Sequence, residues 1–489
     1  MVDKLSNENG SITNNMVWSV TERVTSQILS TIVSVILARL LYPEAYATVA
    51  LVTVFINLAT VVMSSSFSSA LIYDKEQSIE HYSTAFYSIL LVTGTLYLML
   101  YITAPFLAIY YNDDSLANII RVMSLVLVPQ GIYSILFAYV SKNMLFKKTY
   151  KPTFLGAVSG ASVALLLALK GHGVWALVFL PLIESSVSSF VLWRVLNFKI
   201  AVNFDVQYVK FMIRYCVKFV MVDFLNAIYS SLNSLIIAQR FSKADLSYYT
   251  KAYNLPQMLL GSVNVAISKV LFPFFSQSKE DIGQIRQKLR MGIQLSNYVL
   301  MPMMIGLMVI SEEVVTLLFT NKWIGMVPYL QIMCAVWMLQ PIQICTIQAY
   351  KAIGRGDEYL RLELYKKILA ICVLILLLCI IQKPIIVAFG ALTGQIVSCV
   401  INMPYLNQLF HYTVKAQIRD LVTPMGLCII MAIGVMVVGS LIGNVILKMF
   451  VQIIIGIVIY ISASWLLKNQ SFILLLNVIL KNRRISVKE

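Results

Sequence analysis

The chain has 489 residues, of which 59% are apolar and only 12% are charged. Soluble domains carry about 25% charged residues, so this composition excludes a water-soluble globular protein. A helix needs about 20 apolar residues to cross a bilayer, and the apolar content is enough for about fourteen such helices. The formal net charge is +16. In a membrane protein this excess indicates basic cytoplasmic loops, and nucleic acid is not an expected partner.

Long runs without charged residues predict most of the membrane crossings in chain order. These runs are Ala45–Tyr73, Tyr82–Asn112, Val122–Ser141, Pro152–Leu169, Met291–Ser311, Trp323–Tyr350, Pro384–Phe410, Leu421–Leu447 and Met449–Leu467. Further helices carry ionisable residues or are shorter, and we place them around Arg23, Glu184, Asp223 and Lys269 and from Ile368 onwards. The sequence therefore predicts an all-α polytopic membrane protein with about fourteen transmembrane helices.

The distribution of basic residues predicts the orientation. With an even number of crossings both termini lie on one side of the membrane, and the loops on that side carry roughly threefold more Lys and Arg than the others. The side with fewer basic residues carries Arg39, Lys170, Arg240, Lys243, Lys251, Lys322, Lys383 and Lys448. We therefore predict a multi-pass membrane protein with cytoplasmic N- and C-termini.

A weak internal sequence similarity predicts two parallel repeats. The string ILARL at Ile36–Leu40 is matched 200 residues later by IIAQR at Ile236–Arg240, and each string precedes a predicted outer turn. Copies separated by an even number of helices lie parallel in the membrane. This predicts two six-helix lobes at residues 1–200 and 201–410, two additional helices at 411–468, and a basic cytoplasmic tail at 469–489.

Polar side chains recur on one face of several predicted spans. In the first span Glu22, Arg23 and Gln27 share such a face with serines at three- and four-residue steps. Similar residues lie in the second, seventh and eighth spans: Asn57, Arg214, Lys218, Asp223, Asn226, Asn264 and Lys269. A centred charge costs about 2.5 to 3.5 kcal/mol on insertion scales, so these faces are expected to line a wet interface between the lobes. Its surplus of cations favours an anionic substrate.

These positions define the predicted sites. The predicted substrate-binding residues are Arg23, Arg214, Lys218, Lys269, Gln27, Asn57, Asn226 and Asn264. The candidates for ion coupling are Glu22, Asp223 and Glu184. Close helix packing is the alternative explanation for the small polar residues. The alternative role for these carboxylates is that of structural counter-ions. For Glu184 the alternative is pairing with a residue of a neighbouring helix.

The remaining chemistry-bearing residues do not predict a catalytic or metal site. The seven cysteines lie in apolar stretches without a CxxC pair, which predicts buried free thiols, and the three histidines are isolated in loops. Glu312 and Glu313 close a helix near the outer surface, where we expect them to be solvated. No loop is long enough for a catalytic domain, and the phosphate-binding pattern GxxxxGK[ST] does not occur. We therefore predict a protein that is not an enzyme, needs no cofactor, and uses an ion gradient or membrane potential.

Several strings resemble one transporter family in order and spacing. They are VILARLLYPEAYATVALVTVF from Val35, HYSTAFYSILL from His81, LFKKTY from Leu145, GHGVWALV from Gly171, YYTKAYNLP from Tyr248, LFPFFS from Leu271, LFTNKWIGMVPYLQ from Leu318 and QAYKAIGRGDEYLRLELYKK from Gln348. Together they resemble the polysaccharide transporter branch, the Wzx-like flippases, of the multidrug/oligosaccharidyl-lipid/polysaccharide exporter superfamily. The chain departs from this family where Ala47 and Ser66 replace common glycines, and where Asn233 replaces a common aspartate. The last change argues against an acidic role at that position, and Asp223 does not simply inherit that role.

The resemblance implies a function as well as a fold. It implies export by alternating access of a polyprenyl-diphosphate-linked oligosaccharide, for synthesis of O-antigen, capsule or exopolysaccharide, alongside glycosyltransferases and a polysaccharide polymerase. The predicted residues suit this substrate, because Arg and Lys neutralise phosphate groups. A multidrug or small-cation exporter of the same superfamily is the alternative, although it would favour acidic cavity residues. A membrane glycosyltransferase or polymerase is a further alternative, although it would be expected to carry a long outer loop.

Overall fold

The computed structural model of the protein describes residues 21–22, 24–64, 71, 78–202, 204–276, 282–353 and 355–473, which form helices joined by turns. The chain forms two compact units, Met1–Ser247 and Tyr248–Glu489. The predicted boundaries at residues 200, 410 and 468 refer to repeats and remain a prediction.

The first unit is built from long helices. They are α1 (Val24–Leu40), α2 (Pro43–Ser64), α3 (Ile79–Tyr110), α4 (Ser115–Lys142, with a 3-10 turn at Ser124–Val126), α5 (Lys147–Leu169), α6 (Gly173–Leu196) and α7 (Val206–Arg240). Helix α8 (Lys243–Ser276) begins in this unit and continues into the second. Helix α7 packs against α2 and α3, and α5 packs along α6.

The second unit continues the helical pattern. Its helices are α9 (Ile282–Val309), α10 (Ser311–Phe319), α11 (Val327–Met338), α12 (Gln340–Ala352), α13 (Gly356–Ile380), α14 (Ile385–Phe410), α15 (Val414–Ser440) and α16 (Val445–Leu466). Helix α9 packs against α15, and α15 packs along α16. A buried cluster that includes Leu289, Tyr350 and Phe410 holds α9, α12 and α14 together.

The described residues contain ten helical segments that are long and apolar enough to cross a membrane, together with the shorter apolar helix Val24–Leu40. The predicted all-α, multi-pass membrane architecture is confirmed. Helices α7, α8 and α13 are not among the ten segments, because they carry more polar and charged residues. The total of fourteen crossings therefore remains a prediction.

Local sequence determines where several helices begin. The side chain of Ser78 accepts a hydrogen bond from the backbone N–H of His81 at the start of α3. The side chain of Asp205 accepts hydrogen bonds from backbone N–H groups at the start of α7, and the side chain of Asn444 does so at the start of α16. Each cap satisfies N–H groups that have no partner within the helix, and such a cap is typically worth about 1 kcal/mol. These short polar residues therefore mark ends that hydropathy alone leaves undefined.

Glycines bring α5 and α6 into close contact. A Cβ atom on Gly156 would lie 2.6 Å from the backbone carbonyl oxygen of Glu184, and one on Gly160 would lie 2.8 Å from that of Leu180. Two glycines four residues apart lie on the same face of a helix and allow two backbones to approach in the membrane. This packing positions Glu184, which is half-buried, near the middle of α6.

Three sequence predictions are wrong in detail. Glu313 is not solvated: it is 6% exposed and its Oε1 lies 2.5 Å from Nζ of Lys448. Two of the cysteines, Cys372 and Cys379, are exposed on α13, whereas the other five are buried. Helix α13 begins at Gly356 and not at Ile368. Charged side chains do not end a helix when they lie near the membrane surface or form ion pairs. The apolar run from Ile368 therefore marks only the later part of α13.

Candidate substrate-transport site

The carboxylate of Glu22 is held by two threonines of α5. Its Oε2 lies 2.5 Å from Oγ1 of Thr149, and its Oε1 lies 2.8 Å from Oγ1 of Thr153. The hydroxyl of Tyr133 on α4 lies 3.4 Å from Oγ1 of Thr153 and extends the network. These contacts use hydroxyl groups, which can donate to a carboxylate or accept from a carboxylic acid. The arrangement therefore holds the Glu22 carboxyl group in a fixed position.

Several predicted substrate-binding residues are accessible in the first unit. Gln27 on α1 is half-buried, and Asn57 on α2 is exposed. Arg214 and Asn226 are exposed on α7, the helix that packs against α2. Arg23 lies outside the described residues. The side chains of Lys218, Asn264 and Lys269 also lie outside the described part of the structure. Their role in binding remains a prediction.

The other two coupling candidates occupy different environments. Asp223 is exposed on α7, whereas Glu184 is half-buried on α6 against the glycine face of α5. In the described part of the chain no group of three or more His, Cys, Asp or Glu side chains is arranged to hold a metal ion. The assignment of Glu22, Asp223 and Glu184 to ion coupling remains a prediction.

An apolar groove in the second unit was not predicted from the sequence. This cavity of about 700 Å³ is lined by α8, α9, α15, α16 and Phe472. Gly306 lies in its wall, and a Cβ atom there would meet nothing within 4 Å. Along α16 the lining residues Ile457 and Ile461 are 55% and 48% exposed. In a membrane this surface meets lipid, so the groove suits a hydrocarbon chain.

A charged cluster lies on the same helices as the groove. Asp420 on α15 accepts hydrogen bonds from Nε and Nη2 of Arg290 at 2.6 and 2.9 Å. Nε2 of Gln294 and the hydroxyl of Tyr412 also donate to it, at 2.9 and 2.8 Å. This is the bidentate geometry that makes Arg–carboxylate pairs strong. The cluster ties α9 to the start of α15.

A second buried network joins α12, α13 and α14. Lys366 is 1% exposed, and its Nζ contacts Glu363, Oδ1 of Asn402 at 3.2 Å and Oε1 of Gln343 at 3.4 Å. The amide of Asn402 also donates to Oε1 of Gln343 at 2.7 Å. All three protons of the ammonium group therefore have acceptors. A fully satisfied network of this kind fixes helix packing and leaves little capacity for a ligand.

Polar contacts join two turns of the first unit. Nζ of Lys243, after α7, lies 2.7 Å from Oδ2 of Asp113, after α3, and Oγ1 of Thr48 lies 3.3 Å from the same oxygen. The hydroxyl of Ser247 donates to the backbone carbonyl of Pro43. Pro43 and Ser247 lie near the starts of α2 and α8, so this hydrogen bond joins the helices that follow ILARL and IIAQR.

The Asp113 ion pair predicts a pH-dependent stability. Burial raises the pKa of the Asp113 carboxyl, but hydrogen bonds from Lys243 and Ser115 and the charge of Lys243 outweigh burial and lower it. A lowered carboxyl pKa stabilises the fold at neutral pH, and this stabilisation is lost as the pH falls through the lowered value. Replacing Asp113 by Asn should lower stability at pH 7 by a few tenths to about 1 kcal/mol, and by less at about pH 3, where more of the carboxyl is protonated.

Thermal unfolding in detergent at both pH values measures this effect. The matched control is Asp114→Asn, which removes an exposed neighbouring carboxylate that makes no ion pair among the described residues. Equal losses in the two variants at pH 7 would contradict the assignment of stability to the ion pair.

The comparison with known proteins identifies the family. The model of a family described as "Polysaccharide biosynthesis protein" matches residues 36–328. The chain belongs to this family. The resemblance to a family of polysaccharide biosynthesis proteins is confirmed.

Relatives in three bacteria carry related names. The succinoglycan biosynthesis transport protein ExoT of Rhizobium meliloti is 24% identical over 81% of this chain and 78% of its own length. The lipopolysaccharide biosynthesis protein WzxC of Escherichia coli is 23% identical over 78% of this chain and 75% of its own. The teichuronic acid biosynthesis protein TuaB of Bacillus subtilis is 22% identical over 61% and 62% of the two chains.

Solved structures share the fold at low sequence identity. The lipid II flippase MurJ in an inward closed conformation has a TM-score of 0.75 and 17% identity, covering 93% of this chain and 99% of its own. An inward-facing multidrug resistance transporter of the MATE family has a TM-score of 0.60 and 14% identity, covering 80% and 98%. At these identities the comparison establishes architecture, and both architectures are those of membrane transporters.

Proposed function

We propose that this protein moves a polyprenyl-diphosphate-linked oligosaccharide from the inner to the outer leaflet of the bacterial cytoplasmic membrane. The product would be used for a surface polysaccharide. Membership of the polysaccharide biosynthesis family carries this proposal, and a relative named as a succinoglycan transport protein supports it. The multi-pass helical architecture is consistent with a transporter that works within the membrane. Transport would proceed by alternating access.

Two parts of the chain suit two parts of this substrate. The apolar groove of α8, α9, α15 and α16 suits the polyprenyl chain. The polar and basic residues of α1, α2, α7 and α8 would bind the diphosphate and the sugars. In this assignment Arg214, exposed on α7, attracts the diphosphate, and Asn57 and Asn226 hydrogen-bond to hydroxyl groups. The fold alone also fits a multidrug exporter, but the family match favours the polysaccharide substrate.

The energy source in this proposal is an ion gradient or the membrane potential. Glu22, Asp223 and Glu184 are the coupling candidates, and the hydroxyl network around Glu22 supports that residue in particular. Both termini are proposed to be cytoplasmic. The protein would receive its substrate from glycosyltransferases and deliver it to a polymerase, and it would not itself catalyse a reaction.

Deletion of the gene in its own bacterium tests the proposal. We expect loss of a surface polysaccharide and accumulation of its lipid-linked oligosaccharide, both reversed by the wild-type gene. A charge-assisted contact is worth about 1.5 to 3 kcal/mol, so Arg214→Gln should reduce export about tenfold or more. Arg361→Gln, which removes an exposed arginine of α13, serves as its control. A deletion strain with normal polysaccharide and no accumulated precursor would overturn the proposal.

A further inference from the structure

A second cavity, which we call the cationic pocket, lies at one end of α9 and α15. It has a volume of about 470 Å³ and is lined by residues of α9, by the first half of α15, and by the segment that follows α16. Its charged lining residues are Arg290, Arg419, Asp420 and Lys468. Three cations therefore face one carboxylate, so the pocket has a surplus of positive charge.

The single carboxylate does not neutralise the other two cations. Asp420 is already bonded to the guanidinium of Arg290 in the bidentate pair described above. Arg419 and Lys468 are exposed, and neither forms an ion pair among the described residues. Two positive side chains therefore remain available to an anion of suitable size.

The segment after α16 holds its part of the pocket in a fixed conformation. Lys468 adopts a left-handed backbone conformation with φ of 45°, which turns the chain at the end of α16. The next residue, Asn469, is buried, and its Oδ1 accepts hydrogen bonds from the backbone N–H groups of Ser471 and Phe472 at 2.8 and 3.3 Å. Lys468 is thus placed on the rim by a structured turn.

The cationic pocket and the apolar groove are adjacent. On α9, Gln294 lines the pocket and Tyr298, one turn further, lines the groove. On α15, Leu427 lines the pocket and Met431, one turn further, lines the groove. One helical turn rises only about 5.4 Å. A polar, cationic end therefore opens next to a long apolar channel. This is the shape and polarity of a lipid with an anionic headgroup.

The surface around the pocket is that of a membrane boundary. Trp465, at the end of α16, is 69% exposed, and Leu466 beside it is 70% exposed. Exposed tryptophan at a helix end is typical of the interface between hydrocarbon and water. This exposed tryptophan favours a position of the pocket near the level of the lipid phosphates.

We propose that the cationic pocket binds the phosphate headgroup of a membrane lipid whose hydrocarbon chain lies in the apolar groove. Arg419 and Lys468 contact the phosphate, and the Arg290–Asp420 pair forms the polar wall beside it. The occupant we assign to this pocket is an anionic phospholipid, because the diphosphate of the transported lipid is assigned above to residues of α1, α2, α7 and α8. The existence of the site does not depend on the transport function proposed above, because it rests only on the pocket, its charges and the adjacent groove.

Lipid binding to the purified full-length protein in detergent tests the proposal. The probes are dioleoyl phosphatidylglycerol, dioleoyl phosphatidylcholine and undecaprenyl diphosphate, each titrated while bound lipid is counted by native mass spectrometry. The double variant Arg419→Gln/Lys468→Gln should bind the anionic probes about tenfold more weakly. The control Arg361→Gln/Lys415→Gln removes the same residue types from exposed positions outside the pocket and should bind as the wild type does.

A second variant tests the cavity without changing charge. Gly426 lines the pocket, and a Cβ atom there would meet nothing within 4 Å, so Gly426→Leu adds a side chain at an open position of the pocket. It should also weaken binding, whereas Gly94→Leu, at a similarly open position on α3, should not.

The probes distinguish the source of the phosphate. Weaker binding of phosphatidylglycerol in the pocket variants supports the proposal, whereas weaker binding of undecaprenyl diphosphate alone would overturn it in favour of the carrier lipid. Unchanged binding of both probes in the charge and cavity variants would overturn the proposal. So would an equal loss for phosphatidylcholine, because the pocket would then not select for net anionic charge.

Discussion

Replacing Gly306 by Trp will block the apolar groove and reduce export about fifty- to a hundredfold. The position lies in the groove wall and faces open space, so the indole should enter the cavity without disturbing α9. Excluding about 100 Å² of a polyprenyl chain from apolar contact costs about 2.5 kcal/mol, which corresponds to that range. Surface polysaccharide in the deletion strain, measured with each variant at equal membrane abundance, reports the effect.

Two controls separate blockage from misfolding. Gly306→Ala fills little of the groove and should export normally, because alanine also favours the helix. Gly94→Trp places the same side chain at an open position on α3, away from the groove. Normal export by Gly306→Trp would show that the substrate chain does not use the groove.

Replacing Asp420 by Ala will produce a large loss of stability. The Asp420 side chain is 4% exposed and that of Arg290 is 33% exposed. Removing one partner of a buried pair costs about 3 to 5 kcal/mol. Because Arg290 retains some solvent, we expect about 2 to 4 kcal/mol. Gln294 and Tyr412 also lose an acceptor.

Thermal unfolding of the purified protein in one detergent measures this loss. The matched control is Glu358→Ala, which breaks the exposed ion pair with Arg355, where the two side chains are 53% and 52% exposed. A pair of that kind contributes at most about 1 kcal/mol. Equal melting temperatures for the Asp420 and Glu358 variants would contradict the structural role of the buried cluster.

The class of fold was predictable because hydrophobicity is a local property of the sequence. The run Pro152–Leu169 ends where α5 ends, and charged residues delimit it. Helix boundaries that no charged residue marks could be predicted less closely. The run Leu421–Leu447 contains both the end of α15 at Ser440 and the start of α16, where the Asn444 side chain caps the helix. Capping depends on one side chain and its backbone geometry, which average hydropathy does not detect.

The site could be predicted only in part, because a helical pattern shows which face is polar and not what that face contacts. The polar face around Glu22 was identified, but its contacts with Thr149 and Thr153 join residues more than a hundred positions apart. The same is true of Arg290 with Asp420, and of Glu313 with Lys448. The apolar groove leaves no local signal, since its lining resembles any lipid-facing surface.

Reconstitution tests the central claim most directly. The purified protein is placed in liposomes that contain a labelled polyprenyl-diphosphate-linked oligosaccharide, and movement of the label between leaflets is followed with and without an ion gradient. We predict that the wild-type protein moves the lipid faster than protein-free liposomes do, that collapse of all gradients abolishes net movement, and that Gly306→Trp moves the lipid about fifty- to a hundredfold more slowly than the wild type. Movement by the wild type no faster than in protein-free liposomes, with the host's own lipid-linked oligosaccharide as the probe, would contradict the account.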